Sequence, residues 1–209
     1  MNNSRFEKSA PLTGMASVVL LFAAAGLYGF YEYHPTAETL QTFFNEQATS
    51  LYCSGYLGVL SAFLLVWFAG SVYKTLHQHE GGERRLALIA LGGGFASGIG
   101  IALAYTALVI VAGLAREANG IAPIEAVLLN MLYTNVIVMA GFSMAVLIGA
   151  TSVVSLRTSM LPKWFSWVSI LIALALITPQ GWIFLSLAMI WVFGVSIWLY
   201  RREREASAG

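Results

Sequence analysis

The sequence predicts an all-α, polytopic membrane protein with six transmembrane helices that form a single transmembrane domain. Of its 209 residues, 58% are hydrophobic and only 10% are charged. Apolar segments of roughly 20 residues recur along the chain, the length that crosses a bilayer. An average soluble domain is about 25% charged. A chain this apolar lacks the polar residues to cover a water-exposed surface, so we expect the bilayer to be its solvent.

A helix rises about 1.5 Å per residue, and the hydrocarbon core of a bilayer is about 30 Å thick. Each predicted span is therefore long enough to cover most or all of that thickness. The spans are, approximately, 12–31, 53–73, 86–114, 126–155, 163–178 and 182–200. The first span has a competing interpretation as a signal peptide, but it is long for one and lacks a clear cleavage site. The fifth span is short. Pro162 precedes it and Pro179-Gln180-Gly181 follows it, so we expect the fifth and sixth spans to form a helical hairpin.

Lysine and arginine predict the orientation. With the N-terminus inside, ten of the eleven basic residues fall in inner segments and only Arg116 in an outer one. Cytoplasmic connections carry such an excess of basic residues. We therefore expect both termini to be cytoplasmic.

The outer connection 34–51 is the longest connection. Its apolar residues recur at helical spacing: Leu40, Phe43, Phe44, Ala48 and Leu51. This pattern predicts an amphipathic helix lying in the outer membrane interface. A loop folded over the mouth of the bundle is the alternative.

Small residues follow the third and fourth spans at four-residue spacing. In the third span they are Ala90, Gly94, Gly98 and Ala102, and in the fourth they are Gly141, Ala145 and Gly149. Close backbone approach at small residues drives helix association in lipid. We predict that the two stripes face each other, or that one faces a second protomer.

The sequence offers no catalytic constellation. No Asp, Glu, Lys, Arg or His lies in the central part of a predicted span, where pumps and ion-coupled carriers place them. The three histidines lie in connections, and we interpret His77-Gln78-His79-Glu80 as a solvated turn rather than a metal site. We predict no cofactor and no metal. A net charge of +1 argues against a nucleic-acid partner.

One polar group occupies the outer third of the predicted bundle. Its members are Tyr56, Tyr105, Asn130, Tyr133, Thr134 and Asn135. These side chains could line an outward pocket for a small amphipathic or lipid-like ligand. Alternatively, they hydrogen-bond across helices and hold the bundle together.

Two short segments carry a resemblance. Leu161-Pro162-Lys163-Trp164-Phe165-Ser166-Trp167 and Tyr56-Leu57-Gly58 are similar to the starts of spans in uncharacterised bacterial six-helix inner-membrane proteins. The resemblance implies a location in the bacterial inner membrane and no residue roles.

Three functional classes follow. The first, which we favour, is a non-catalytic accessory or structural subunit that associates with itself or with other membrane proteins through the small-residue faces. The second is a carrier, channel or binding protein for a neutral or lipid-like molecule. The third, a lipid-modifying enzyme, lacks a nucleophile–base pair.

Overall fold

The computed structural model describes residues 9–29, 35–82, 84–178 and 181–205, without the side chains of 181, 182 and 203. Within these residues the chain forms helices and no strand, which confirms the all-α prediction. The helices are α1 (Leu12–Tyr28), α2 (Ala37–Glu46), α3 (Ala48–His79), α4 (Arg85–Ala115), α5 (Pro123–Thr158), α6 (Lys163–Leu176) and α7 (Gly181–Glu205).

Four of these helices are long and apolar enough to cross a membrane: α3, α4, α5 and the Ile183–Arg202 part of α7. Helices α1 and α6 are apolar but have 17 and 14 residues, which corresponds to about 25 and 21 Å. The length and composition of its helices make the chain a polytopic membrane protein. The prediction of six spans requires that the two shorter helices, α1 and α6, also cross the membrane.

Several helices extend beyond the predicted spans. Helix α3 begins at Ala48 and continues to His79, so the segment 77–79, which we expected to be part of a turn, is helical. Its Leu76 is fully buried, and packing therefore continues the helix past the apolar segment. The end of the predicted first span and most of the predicted turn at Pro179-Gln180-Gly181 lie outside the described residues.

Six helices form a closed ring. Helix α3 packs between α1 and α4, α5 packs between α4 and α6, and α7 packs between α6 and α1. Hydrogen bonds show that α1 and α3 are antiparallel: Ser17 contacts Ser61, whereas Ala24, further along α1, contacts Ser54, earlier in α3. The contacts between α4 and α5 and between α5 and α6 have the same antiparallel sense. The connections therefore alternate between two ends of the bundle.

Helix α2 covers one of these ends, called here the α2 end, where α3 and α5 begin and α4 finishes. Leu40 and Phe44 are buried there in a small apolar cluster with Ile121. Asn45 Oδ1 accepts a hydrogen bond from the Ile121 amide at 3.1 Å. A helix in the predicted segment is confirmed, and it is folded over the bundle end. Ala48 and Leu51, which we expected on its apolar face, belong to α3 instead.

Buried serines connect neighbouring helices. The Ser17 and Ser61 hydroxyls lie 3.1 Å apart between α1 and α3. The Ser166 hydroxyl of α6 donates to Ser155 of α5 at 2.8 Å, and Trp191 Nε1 of α7 donates to Ser169 of α6 at 2.7 Å. In lipid, apolar helix faces gain little by packing on each other, because lipid tails are equally apolar. Hydrogen bonds between helices therefore help to stabilise helix pairs.

The two small-residue stripes do not pack on each other. Gly94 and Gly98 lie against α3, where a Cβ would come 2.5 Å from Ala69 and 2.5 Å from Val66, respectively. Gly141 and Gly149 lie beside Leu176 and Ala173 of α6. The expected pairing was wrong because each stripe faces its other neighbour in the ring.

A different glycine face forms the contact between α4 and α5. A Cβ at Gly93 would lie 2.7 Å from the Leu147 amide nitrogen and 2.8 Å from the Ser143 carbonyl oxygen. A Cβ at Gly100 would lie 2.9 Å from that of Ala140. The two helix backbones therefore approach closely along this second face.

Candidate functional site

Three of the six residues proposed to bind a ligand come together near the α2 end. Tyr133 stacks on Tyr28 with ring centroids 5.1 Å apart and meets Tyr105 edge-on at 5.8 Å. The Tyr28 hydroxyl donates to Asn130 Oδ1 at 3.5 Å. We call Tyr28, Tyr105, Asn130 and Tyr133 the tyrosine cluster. It joins α1, α4 and α5.

The tyrosine cluster is closely packed. Tyr105 is 2% exposed, and it lies against Gly58 of α3, where a Cβ would overlap its ring. Edge-on and offset ring contacts of this kind each add about 0.5–1.5 kcal/mol beyond area burial. These contacts stabilise the packing of α1, α3, α4 and α5 against one another.

Tyr56 lies elsewhere, on the exposed surface of α3 that faces away from the bundle interior. Its hydroxyl accepts a hydrogen bond from Tyr52 at 3.2 Å, and the Arg116 guanidinium lies 4.7 Å from the centre of the Tyr52 ring. Arg116 also donates to Thr49 at 3.3 Å. This exposed group connects α3 to the end of α4 and is separate from the tyrosine cluster.

Thr134 and Asn135 are also exposed, on the outer side of α5. Asn135 belongs to a row of exposed residues at three- and four-residue intervals, called here the α5 stripe. The stripe contains Ile124, Leu128, Met131, Leu132, Asn135 and Met139. Asn135 is its polar member.

The α5 stripe is exposed because α6 is short. Helix α6 ends at Leu176, next to Gly141 of α5. The α5 segment 123–140 therefore continues about 27 Å past that level at about 1.5 Å per residue. No residue of 127–139 is buried, whereas the segment 140–155 is mostly buried.

The opposite end of the bundle holds the histidines that we expected in a solvated turn. Instead of being solvated, Glu80 accepts hydrogen bonds from the amides of Leu86 and Ala87, both at 2.8 Å. These are two of the amides that a helix N-terminus leaves unpaired. The Glu80 carboxylate thus caps α4, whose preceding residue Arg84 has a left-handed backbone.

A cleft of about 400 Å³ opens at this end between α3, α7 and the end of α5. The residues that line it include His79, Ser159, Trp198, Arg201, Arg202 and Glu205. We call it the basic cleft. Arg202 donates to His79 Nε2 at 2.6 Å, and its guanidinium lies 5.2 Å from the centre of the Trp198 ring.

Among the described residues, no three His, Cys, Asp or Glu side chains converge as metal ligands would. The chain matches no protein-family model, no characterised protein and no solved structure. The resemblance to bacterial six-helix proteins therefore stays a prediction.

Proposed function

We propose that this chain is a non-catalytic inner-membrane protein with six spans that associates with a second copy through the α5 stripe. Its N-terminus and the basic cleft face the cytoplasm. The observation that carries the proposal is Asn135, an exposed polar side chain within an otherwise apolar stripe that faces lipid.

The distribution of basic residues supports the orientation. The ends of α3, α5 and α7 and the starts of α4 and α6 meet at the end that holds the basic cleft, and these ends carry Lys74, Arg84, Arg85, Arg157, Lys163, Arg201, Arg202 and Arg204. The α2 end carries Arg116. Basic residues concentrate on the cytoplasmic side of membrane proteins.

The packing of α1 and α6 supports six crossings. Helix α1 lies along α3 through contacts from Ser17 to Ala24. Helix α6 lies along α5 from Ser166 to Leu176. Each short helix therefore lies alongside a long helix with the two axes aligned. A short span is accommodated by local thinning of the bilayer at a modest cost.

Asn135 supports association through the stripe. Its Nδ2 donates to the Met131 carbonyl of the same helix at 2.8 Å, and its side-chain oxygen accepts no hydrogen bond from the described residues. A polar group without a partner is costly in hydrocarbon. A neighbouring helix that supplies a donor would remove this cost.

A second copy is the occupant that fits best. An amide both donates and accepts, so two Asn135 side chains meeting at a two-fold axis satisfy each other. The stripe also has the three- and four-residue intervals of helices that cross at about 20°. Gly94 and Gly98, which the sequence offered as an interface, are already covered by α3.

Cysteine cross-linking tests the proposal. Cys53 is exposed and is first replaced by serine. We expect Met131→Cys, which keeps Asn135 and lies one turn from it in the α5 stripe, to form a disulfide-linked dimer in membranes, because equivalent residues near a two-fold axis come within the roughly 7 Å that a disulfide can bridge. Leu103→Cys is the control. Leu103 is 58% exposed on α4. It lies at a depth similar to that of the α5 stripe, between Gly100 and Tyr105, which both contact α5.

The polar contact is tested separately by the monomer–dimer equilibrium in detergent. Asn135→Leu should weaken dimerisation about 5- to 30-fold, the effect of about 1–2 kcal/mol for a polar contact between helices. Thr134→Val, an exposed change away from the stripe, should leave it unchanged. Equal cross-linking at 103 and 131, or a cross-link from 131 to a different protein, would contradict self-association.

A further inference from the structure

We propose that the basic cleft binds a phosphate group, and that Arg201 and Arg202 are the residues that recognise it. The chemical class is a phosphate ester or inorganic phosphate. The phosphodiester of an anionic phospholipid headgroup and a free phosphate share this chemistry, and the experiment below distinguishes them.

The first support is that the hydrogen-bond partner of Arg202 does not neutralise the charge of its guanidinium. His79 Nδ1 lies 2.7 Å from the Thr75 carbonyl oxygen. A carbonyl only accepts, so Nδ1 carries the hydrogen and donates. In the neutral ring Nε2 is then the acceptor for Arg202, at 2.6 Å. A neutral acceptor positions the guanidinium without cancelling its charge.

The second support is the orientation of that guanidinium. Besides the hydrogen bond to His79, it lies over the Trp198 ring at 5.2 Å, an arrangement that stabilises a cation against an aromatic face. Two contacts from two helices restrict its position, so less side-chain freedom is lost when it binds a ligand. A planar guanidinium can then offer parallel N–H donors to two phosphate oxygens.

The third support is the electrostatic balance of the cleft. Arg201 and Arg202 contribute two positive charges, and Glu205 contributes the opposing carboxylate. Arg201 is exposed and makes no hydrogen bond or ion pair with the described residues. The cleft thus keeps an excess of positive charge together with the Ser159 hydroxyl, which is exposed after the end of α5.

The volume and position of the cleft suit a lipid headgroup. A volume of about 400 Å³ is within the range of small-molecule sites, roughly 300–1,000 Å³. It opens at the end of the bundle where the basic residues collect. Basic pockets between helices at the cytoplasmic surface are suited to anionic lipid headgroups.

The purified protein in detergent provides the test. Phosphatidylglycerol and phosphatidylcholine are added separately in mixed micelles, and bound lipid is counted by native mass spectrometry. Inorganic phosphate binding is measured by calorimetry. We expect phosphatidylglycerol to bind more tightly than phosphatidylcholine. Arg201→Gln with Arg202→Gln should weaken binding of the phosphate-bearing ligand about fivefold per arginine, about 30-fold in total.

Two further variants separate recognition from folding. Glu205→Gln removes the opposing carboxylate and should tighten binding up to about fivefold, a gain that a misfolded protein does not show. Arg204→Gln is the matched control, since Arg204 is on the same helix but does not line the cleft, and it should leave binding unchanged. Thermal unfolding without ligand verifies that each variant is folded.

The outcomes are distinct. Binding of phosphatidylglycerol alone identifies a membrane lipid as the source of the phosphate, and binding of inorganic phosphate alone identifies a soluble one. If neither binds, or if Arg204→Gln weakens binding as much as the double variant, the proposal is overturned. The arginines then only compensate the negative C-terminal ends of α3, α5 and α7.

Discussion

Adjacent glycines on α4 provide a sharp test of how α4 packs on α5. A Cβ at Gly93 would lie 2.7 Å from the Leu147 nitrogen, 2.8 Å from the Ser143 oxygen and 3.0 Å from the Val146 Cβ. A Cβ at Gly92 meets nothing within 4 Å. We compare Gly93→Ala with Gly92→Ala, two variants of identical chemistry, one residue apart in one helix.

The expected magnitude follows from two effects. Alanine favours a helix over glycine by about 1 kcal/mol, and this gain cancels in the comparison. Overpacking costs about 1–3 kcal/mol, and it applies only at position 93, where the close atoms belong mainly to backbone that cannot rotate away. The free energy of unfolding of Gly93→Ala should therefore be lower than that of Gly92→Ala by about 1–3 kcal/mol.

Titration of purified protein in mixed micelles with a denaturing detergent, followed by circular dichroism, measures this difference. Gly92→Ala should be as stable as the unmodified protein or more stable. If Gly93→Ala matches or exceeds Gly92→Ala in stability, α5 does not lie against this face of α4. The order of helices in the ring would then be wrong.

The same unfolding measurement tests three buried or capping polar groups. Ser155→Ala should lower the free energy of unfolding by about 1–3 kcal/mol, because it removes the hydrogen-bond partner of the Leu161 amide and of the Ser166 hydroxyl. An unchanged free energy of unfolding would show that these two groups find other partners. Glu80→Ala should lower it by about 0.5–2 kcal/mol through loss of the α4 cap. The same change at exposed Glu117, which follows the end of α4, is the control and should be neutral. Ser97→Ala should be neutral or stabilising, since the buried Ser97 hydroxyl has no partner among the described residues; a loss above about 1 kcal/mol would indicate a partner such as a buried water.

The helices were largely predictable because their signal is local. The predicted span 86–114 differs from α4 (Arg85–Ala115) by one residue at each end, since an apolar segment of the right length forms its own backbone hydrogen bonds in lipid. The extension of α3 to His79 was not predictable from hydropathy. It depends on contacts made by Leu76 and His79 with residues that are distant in sequence.

The candidate sites were predictable only in part. Tyr105, Asn130 and Tyr133 do come together, but Tyr28, which connects them to α1, is 102 positions from Asn130, and no local pattern marks it. Tyr56 was expected at the same depth and lies on a different surface of the bundle. Asn135 was recognised as polar, whereas its exposure depends on where α6 ends.

The sequence by itself determined the solvent of this protein, the positions of its helices and the unequal placement of its basic residues. Each of these is a property of short segments or of overall composition. Only the tertiary structure decided which neighbour each glycine face contacts, which tyrosines are buried together, and that Arg202 meets His79. Spacing along a helix shows which residues share a face. The partner of that face depends on the order of helices in the ring, which is decided by contacts between residues far apart in the chain.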